Sequence, residues 1–94
     1  MKLREKHLAM LKYIPDAELR EELEQAMSEF PDRLRQIREA GKLTLKDVWR
    51  GTGIKWQQIS AYERGENLPN FKNIRLLASY YGVTVDWLMG GEWN

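Results

Sequence analysis

The chain has 94 residues, no cysteine and a net charge of +1, which suits one small domain with an appendage and excludes disulfide staples and thiolate metal sites. No apolar run approaches the roughly 20 residues needed to span a bilayer, and the opening MKLREKHLAMLKYI is broken by charge where a secretory leader needs a continuous apolar stretch. A soluble cytoplasmic protein with no membrane contact is expected. The charge is unevenly placed: residues 1–30 carry five basic and seven acidic side chains, whereas residues 31–94 carry ten basic and seven acidic. A mildly basic part is compatible with a nucleic-acid partner without requiring one.

In chain order, residues 1–30 read as two helices forming an N-terminal extension. Leu3, Met10, Leu11 and Ile14 fall near helical spacing, with Leu8 close by, before Pro15 interrupts. Leu19, Leu23, Ala26, Met27 and Phe30 then make one apolar stripe, with Glu21, Glu22, Glu24 and Gln25 largely off it. That stripe needs a partner: the chain's own helices, the same stripe of a second copy in a homodimer, or a separate protein.

A second region, residues 31–94, has shorter helices and denser punctuation. PDRLRQIREAG starts a third helix at Pro31, places Leu34 and Ile37 on one face, and offers Gly41 as a left-handed C-terminal residue. In TLKDVWRGTG, Thr44 is an N-cap and Asp47 a shortened capping-box acid, with the helix ending near Gly51 to Gly53. GIKWQQISAYERG gives a short helix closed at Gly65, NFKNIRLLASYYG a helix from an Asn70 cap to Gly82, and TVDWLMG a last helix from Thr84 to Gly90. No segment alternates for long with a strand period, so the predicted class is all-α.

The run from Arg33 to Gly91 closely resembles the Cro and phage-repressor type of helix-turn-helix domain, the xenobiotic-response-element family. The marks are RLRQIR, LT opening the second helix, glycine plus an apolar residue in the turn, IS and ERG, then P, LLA, YGV and WL. The resemblance implies a five-helix repressor-like domain in which residues 56–63 form a recognition helix offered to the major groove of duplex DNA. By family analogy, Trp56, Gln57 and Ala61 point outward as base readers, with Gln58 and Ser60 beside them, while Ile59 and Tyr62 face inward. A glutamine amide can bond the N6 and N7 edge of adenine in a bidentate way. Phosphate contacts are expected from Thr44, Lys46, Lys55, Arg64, Asn67 and the backbone near Asn70, with Lys72 assisting. Arg38 and Glu63 are expected to form a structural ion pair.

Four positions depart from the family pattern. Leu45 replaces a phosphate-contacting glutamine; Trp49 stands where a small residue is usual, so the helices are expected to pack around an indole. Lys55 replaces a hydroxyl cap, and Trp56 takes the first base-reading position, where an indole can touch a thymine methyl but cannot read a base bidentately. The implied function is a transcriptional regulator that represses by occupying an operator. The alternative is a helix-turn-helix scaffold serving as a protein-binding module, an antitoxin or a regulator-binding protein, since exposed tryptophans are favoured interface anchors. Nothing points to an enzyme, a cofactor, a metal or a small-molecule ligand: His7 has no second imidazole at ligand spacing and no glycine-rich phosphate loop follows a strand.

Overall fold

The computed structural model describes residues 16–91. Within them lie five α-helices and no strand: α1 (Ala17–Ala40), α2 (Leu45–Thr52), α3 (Trp56–Glu63), α4 (Phe71–Tyr81) and α5 (Val85–Leu88). The helix expected over residues 3–14 lies outside the described residues.

The break expected at Pro31 is absent. Asp16 caps α1 by accepting a hydrogen bond from the Leu19 amide at 2.9 Å, and the helix then runs unbroken through Pro31 to Ala40. A proline inside a helix costs about 3 kcal/mol, because it removes one backbone hydrogen bond and crowds the carbonyl four residues earlier. Phe30, Pro31 and Leu34 are all fully buried on one face, and burying Phe30 and Leu34 contributes about 1.5–3 kcal/mol each. Packing on both sides of the proline therefore outweighs its local cost.

The end of α1 also differs from expectation. Gly41 has φ −83°, and the left-handed residue is Lys42 at φ 55°. The Leu43 amide bonds the Arg38 carbonyl at 3.1 Å and the Lys42 amide bonds that of Glu39 at 2.9 Å, the paired pattern of a Schellman cap displaced one residue past the glycine.

The other caps follow the sequence. Thr44 and Asp47 form a reciprocal capping box, with the Asp47 amide donating to Thr44 Oγ1 at 3.0 Å and the Thr44 amide to Asp47 Oδ2 at 2.8 Å. Gly53, at φ 81°, turns the chain left-handed between α2 and α3. Asn70 caps α4 through the Asn73 amide at 2.8 Å, and Thr84 caps α5 through the Trp87 amide at 3.0 Å.

α1 packs against α3 and α5, α2 against α3 and α4, and α4 against α5. The core they enclose includes Phe30, Leu34, Val48, Ile59, Tyr62, Leu77 and Leu88, with the Phe30 and Tyr62 rings meeting edge-on at 6.4 Å. Trp49, by contrast, is 38% exposed. The core position on α2 belongs to Val48, so the indole next to it points away and the expected packing around it does not occur. Arg33 joins the two ends of the fold: its guanidinium donates to the Trp87 carbonyl and, at 2.8 Å, to that of Gly91, and lies 5.0 Å over the Trp87 ring.

Candidate nucleic-acid interface

A short helix can present side chains accurately only if its other face is fixed. α3 achieves this with Ile59, Tyr62 and Glu63 buried. Glu63 accepts two hydrogen bonds from Arg38, and Asn73 Nδ2 on α4 donates to the Tyr62 hydroxyl at 2.9 Å. The Glu63 carboxylate holds the Arg38 guanidinium even more firmly charged than usual, chiefly through that hydrogen bond. On the α2 side, the Thr52 hydroxyl donates to the Val48 carbonyl at 2.8 Å and accepts from the Ile54 amide at 3.1 Å, fixing the approach to the turn.

Gln57 and Gln58 are exposed in the first turn of α3, while Trp56 and Ser60 are half-buried. Ala61 does not join them. It is only 7% exposed, because a single methyl on a helix packed against both α1 and α2 does not reach past its longer neighbours. Ala61 therefore belongs to the packed side and leaves the set of outward side chains.

The residues proposed for phosphate divide into groups. Lys55 sits at the start of α3, where no side chain caps the helix. Together with Thr52, Gln58, Lys72 and Asn73 it lines an open cleft between the α2–α3 turn and α4, so two lysines and an exposed glutamine converge there. Lys46 and Asn67 are exposed on α2 and in the loop after α3. The Thr44 and Asn70 side-chain oxygens are engaged in caps. Arg64 donates to the Ser60 hydroxyl and to Glu66, so one basic candidate and one base-reading candidate are already linked to each other. Asp47 is held below the usual carboxylate range, first by the Thr44 backbone amide and next by Arg50, 2.6 Å away.

Two contacts were not foreseen from sequence. Asn73, which ties α4 to α3, reads in sequence as an ordinary first-turn polar residue. Arg33 reads in sequence as part of the RLRQIR mark and of a basic bias, and nothing there points to its partners, which are backbone carbonyls more than 50 positions away. Among the described residues, no helix is long and apolar enough to cross a membrane.

Comparison with known proteins agrees with this arrangement. The family model described as Helix-turn-helix matches residues 34–88, more than half of the chain. Among curated proteins, the chain is 38% identical over 60 residues to the HTH-type transcriptional regulator DdrOP3 of Deinococcus deserti, covering 64% of this chain and 46% of that protein. It is 30% identical over 64 residues to the HTH-type transcriptional activator BcrR of Enterococcus faecalis, covering 68% and 31%. It is 30% identical over 56 residues to the cryptic phage CTXphi transcriptional repressor RstR of Vibrio cholerae, covering 60% and 50%. The matches span between about a third and a half of these relatives' lengths. No solved structure gave a significant match. With the α2–turn–α3 unit lying inside the matched residues and its caps and ion pair in place, the chain belongs to the helix-turn-helix family of the Cro and phage-repressor type.

Proposed function

We propose that the chain is a sequence-specific duplex-DNA-binding transcriptional regulator that inserts the first turn of α3 into the major groove and represses by occupying its operator. The observation that carries this reading is the exposed Gln57–Gln58 pair on a helix whose opposite face is locked to α1 and α4, beside a cleft flanked by Lys55 and Lys72. Glutamine amides carried on a fixed helix provide the donor and acceptor pattern that adenine requires. The lysines and helix N-termini provide sequence-independent attraction to phosphate. The names of the related proteins, a regulator, an activator and a repressor of transcription, support regulation in general. Repression is favoured because a bound domain blocks a promoter by position alone, whereas activation requires a further productive contact.

The experiment is selection from a random duplex library by the full chain at near-physiological salt. The expected outcome is an enriched motif, whose symmetry and spacing also report whether two copies bind together. Weak, salt-sensitive retention without enrichment would overturn the proposal and favour a protein-binding role for the same surface.

A further inference from the structure

The exposed glutamines stand on α3 and Lys72 on α4, yet these two helices do not pack broadly on each other: α3 lies against α1 and α2, and α4 against α2 and α5. What joins them directly is the hydrogen bond from Asn73 Nδ2 to the Tyr62 hydroxyl, at 2.9 Å. On the α3 side the bond ends on an anchored group, because Tyr62 is 1% exposed and its ring meets Phe30 edge-on. On the α4 side it begins in the first turn. The Asn73 amide donates to the Asn70 cap at 2.8 Å, and Asn73 lines the same cleft as Lys55, Gln58 and Lys72.

We infer that Asn73 is a positioning residue for base reading: through Tyr62 it sets the angle between α3 and the start of α4, and with it the register between the glutamines in the groove and the lysines on the phosphates. This rests on the DNA-reading function proposed above. The Arg38–Glu63 pair does not supply that register, since it ties the last residue of α3 to α1 and neither helix carries Lys72. Phosphate contacts place a protein on the duplex, whereas base contacts discriminate between sequences. A small turn of α3 relative to α4 leaves the phosphate contacts intact but spoils the bidentate geometry of an amide on adenine. Loss of the bond therefore shows in discrimination between duplexes and not in general affinity.

The test measures the affinity of the full chain for its selected motif and for a scrambled duplex, with thermal melts run alongside so that affinities refer to folded protein. Tyr62→Phe removes one hydroxyl and keeps the buried ring. It should lower the ratio of the two affinities about three- to tenfold, the worth of one neutral hydrogen bond, and leave scrambled-duplex affinity and its salt dependence unchanged. Asn73→Ala should lower the ratio similarly, and the double variant no further, because both changes remove the same bond. Asn73→Asp is the contrasting case. The Tyr62 hydroxyl can donate to the new carboxylate, so the ratio is kept, while the negative charge beside Lys55 and Lys72 weakens both duplexes alike. An unchanged ratio in Tyr62→Phe, equal losses on both duplexes, or additive losses in the double variant would overturn the inference while the operator reading stands. A parent chain with equal affinity for both duplexes would instead overturn the operator reading and this inference with it.

Discussion

The guanidinium of Arg38 grips the carboxylate of Glu63 through two parallel hydrogen bonds, Nε to Oε2 at 2.7 Å and Nη2 to Oε1 at 2.9 Å, while Nη1 donates to the Leu43 carbonyl at 2.9 Å. One side chain thus fixes the last turn of α1, the link to α2 and the last residue of α3. Removing one partner of a largely buried pair leaves the other charge uncompensated, so Arg38→Ala is expected to cost about 3–5 kcal/mol. Arg38→Lys should be intermediate, since an ammonium cannot supply the planar fork. Urea unfolding measured alongside DNA retention checks this: binding should fall only as the folded fraction falls. A variant of undiminished stability that has lost binding would make Arg38 a DNA contact instead.

The inverted order at the end of α1 yields a paired prediction. Lys42 holds the left-handed conformation that glycine adopts without strain, and Gly41 holds a right-handed one that alanine accepts. A Cβ on Gly41 would meet nothing nearer than Leu43 Cδ1, at 3.4 Å, which is ordinary contact. Lys42→Gly is therefore expected to stabilise the domain by up to about 1 kcal/mol through relief of backbone strain, and Gly41→Ala by about 0.4–1 kcal/mol through the unfolded state. Thermal melts of the two single variants test each term. Destabilisation by Lys42→Gly would mean that the lysine side chain supports the cap more than its backbone strains it.

These two regions mark what the sequence made legible. Thr44, Asn70 and Thr84 were readable as caps because capping depends on neighbours three positions away. The Arg38–Glu63 pair was readable only through the family resemblance, since nothing local links residues 25 positions apart. Pro31 misled because its propensity is local and strong, whereas the burial of Phe30 and Leu34 that overrides it is tertiary. Ala61 was misplaced for a similar reason: helical periodicity gives direction, but whether a methyl reaches solvent depends on the depth of the surrounding side chains.

The continuity of α1 bears on where the chain can be shortened. Deleting residues 1–30 would remove Ala26 and Phe30 from the core and cut α1 beside its buried proline. Loss of a buried phenylalanine side chain alone costs about 3–5 kcal/mol, a large share of the roughly 5–15 kcal/mol that holds a typical protein folded. The 31–94 fragment is expected to be largely unfolded, whereas a chain starting at Asp16 keeps its cap, its core and a cooperative melt. Circular dichroism melts distinguish the two. A cooperatively folded 31–94 fragment would show that the first half of α1 is dispensable.

Tyr81 carries a pH prediction. Its hydroxyl is buried with no hydrogen-bond partner among the described residues. Burial, reinforced by the negative charge of Glu63, pushes its phenol well above the ordinary tyrosine value, with Arg38 opposing. A raised folded-state value means that the contribution to stability is fully present below the unfolded value of about 10 and is lost as pH rises from there through the folded value. Tyr81→Phe should thus flatten the alkaline loss of stability. At neutral pH it should be neutral or stabilising by about 1 kcal/mol, because it removes an unsatisfied polar group without leaving a hole. Equal alkaline profiles for the parent and Tyr81→Phe would remove Tyr81 from this role.

The last prediction separates base reading from phosphate attraction. Gln57 is exposed in the first turn of α3 and its side chain holds no neighbour in place among the described residues, so Gln57→Ala should leave stability unchanged and lower affinity by about 1–3 kcal/mol on the selected motif only. Arg64 lies at the end of the helix, linked to Ser60 and Glu66. Arg64→Ala should weaken binding to every duplex and reduce the log–log salt slope by about one. Glu66→Gln should act in the opposite direction, since it removes a negative charge that competes with phosphate for the same guanidinium. Titrations of the three variants on motif and scrambled duplexes at several salt concentrations test all three at once. Equal losses on both duplexes for Gln57→Ala would take it off the base-reading surface, and a loss confined to the motif for Arg64→Ala would place that arginine in the groove.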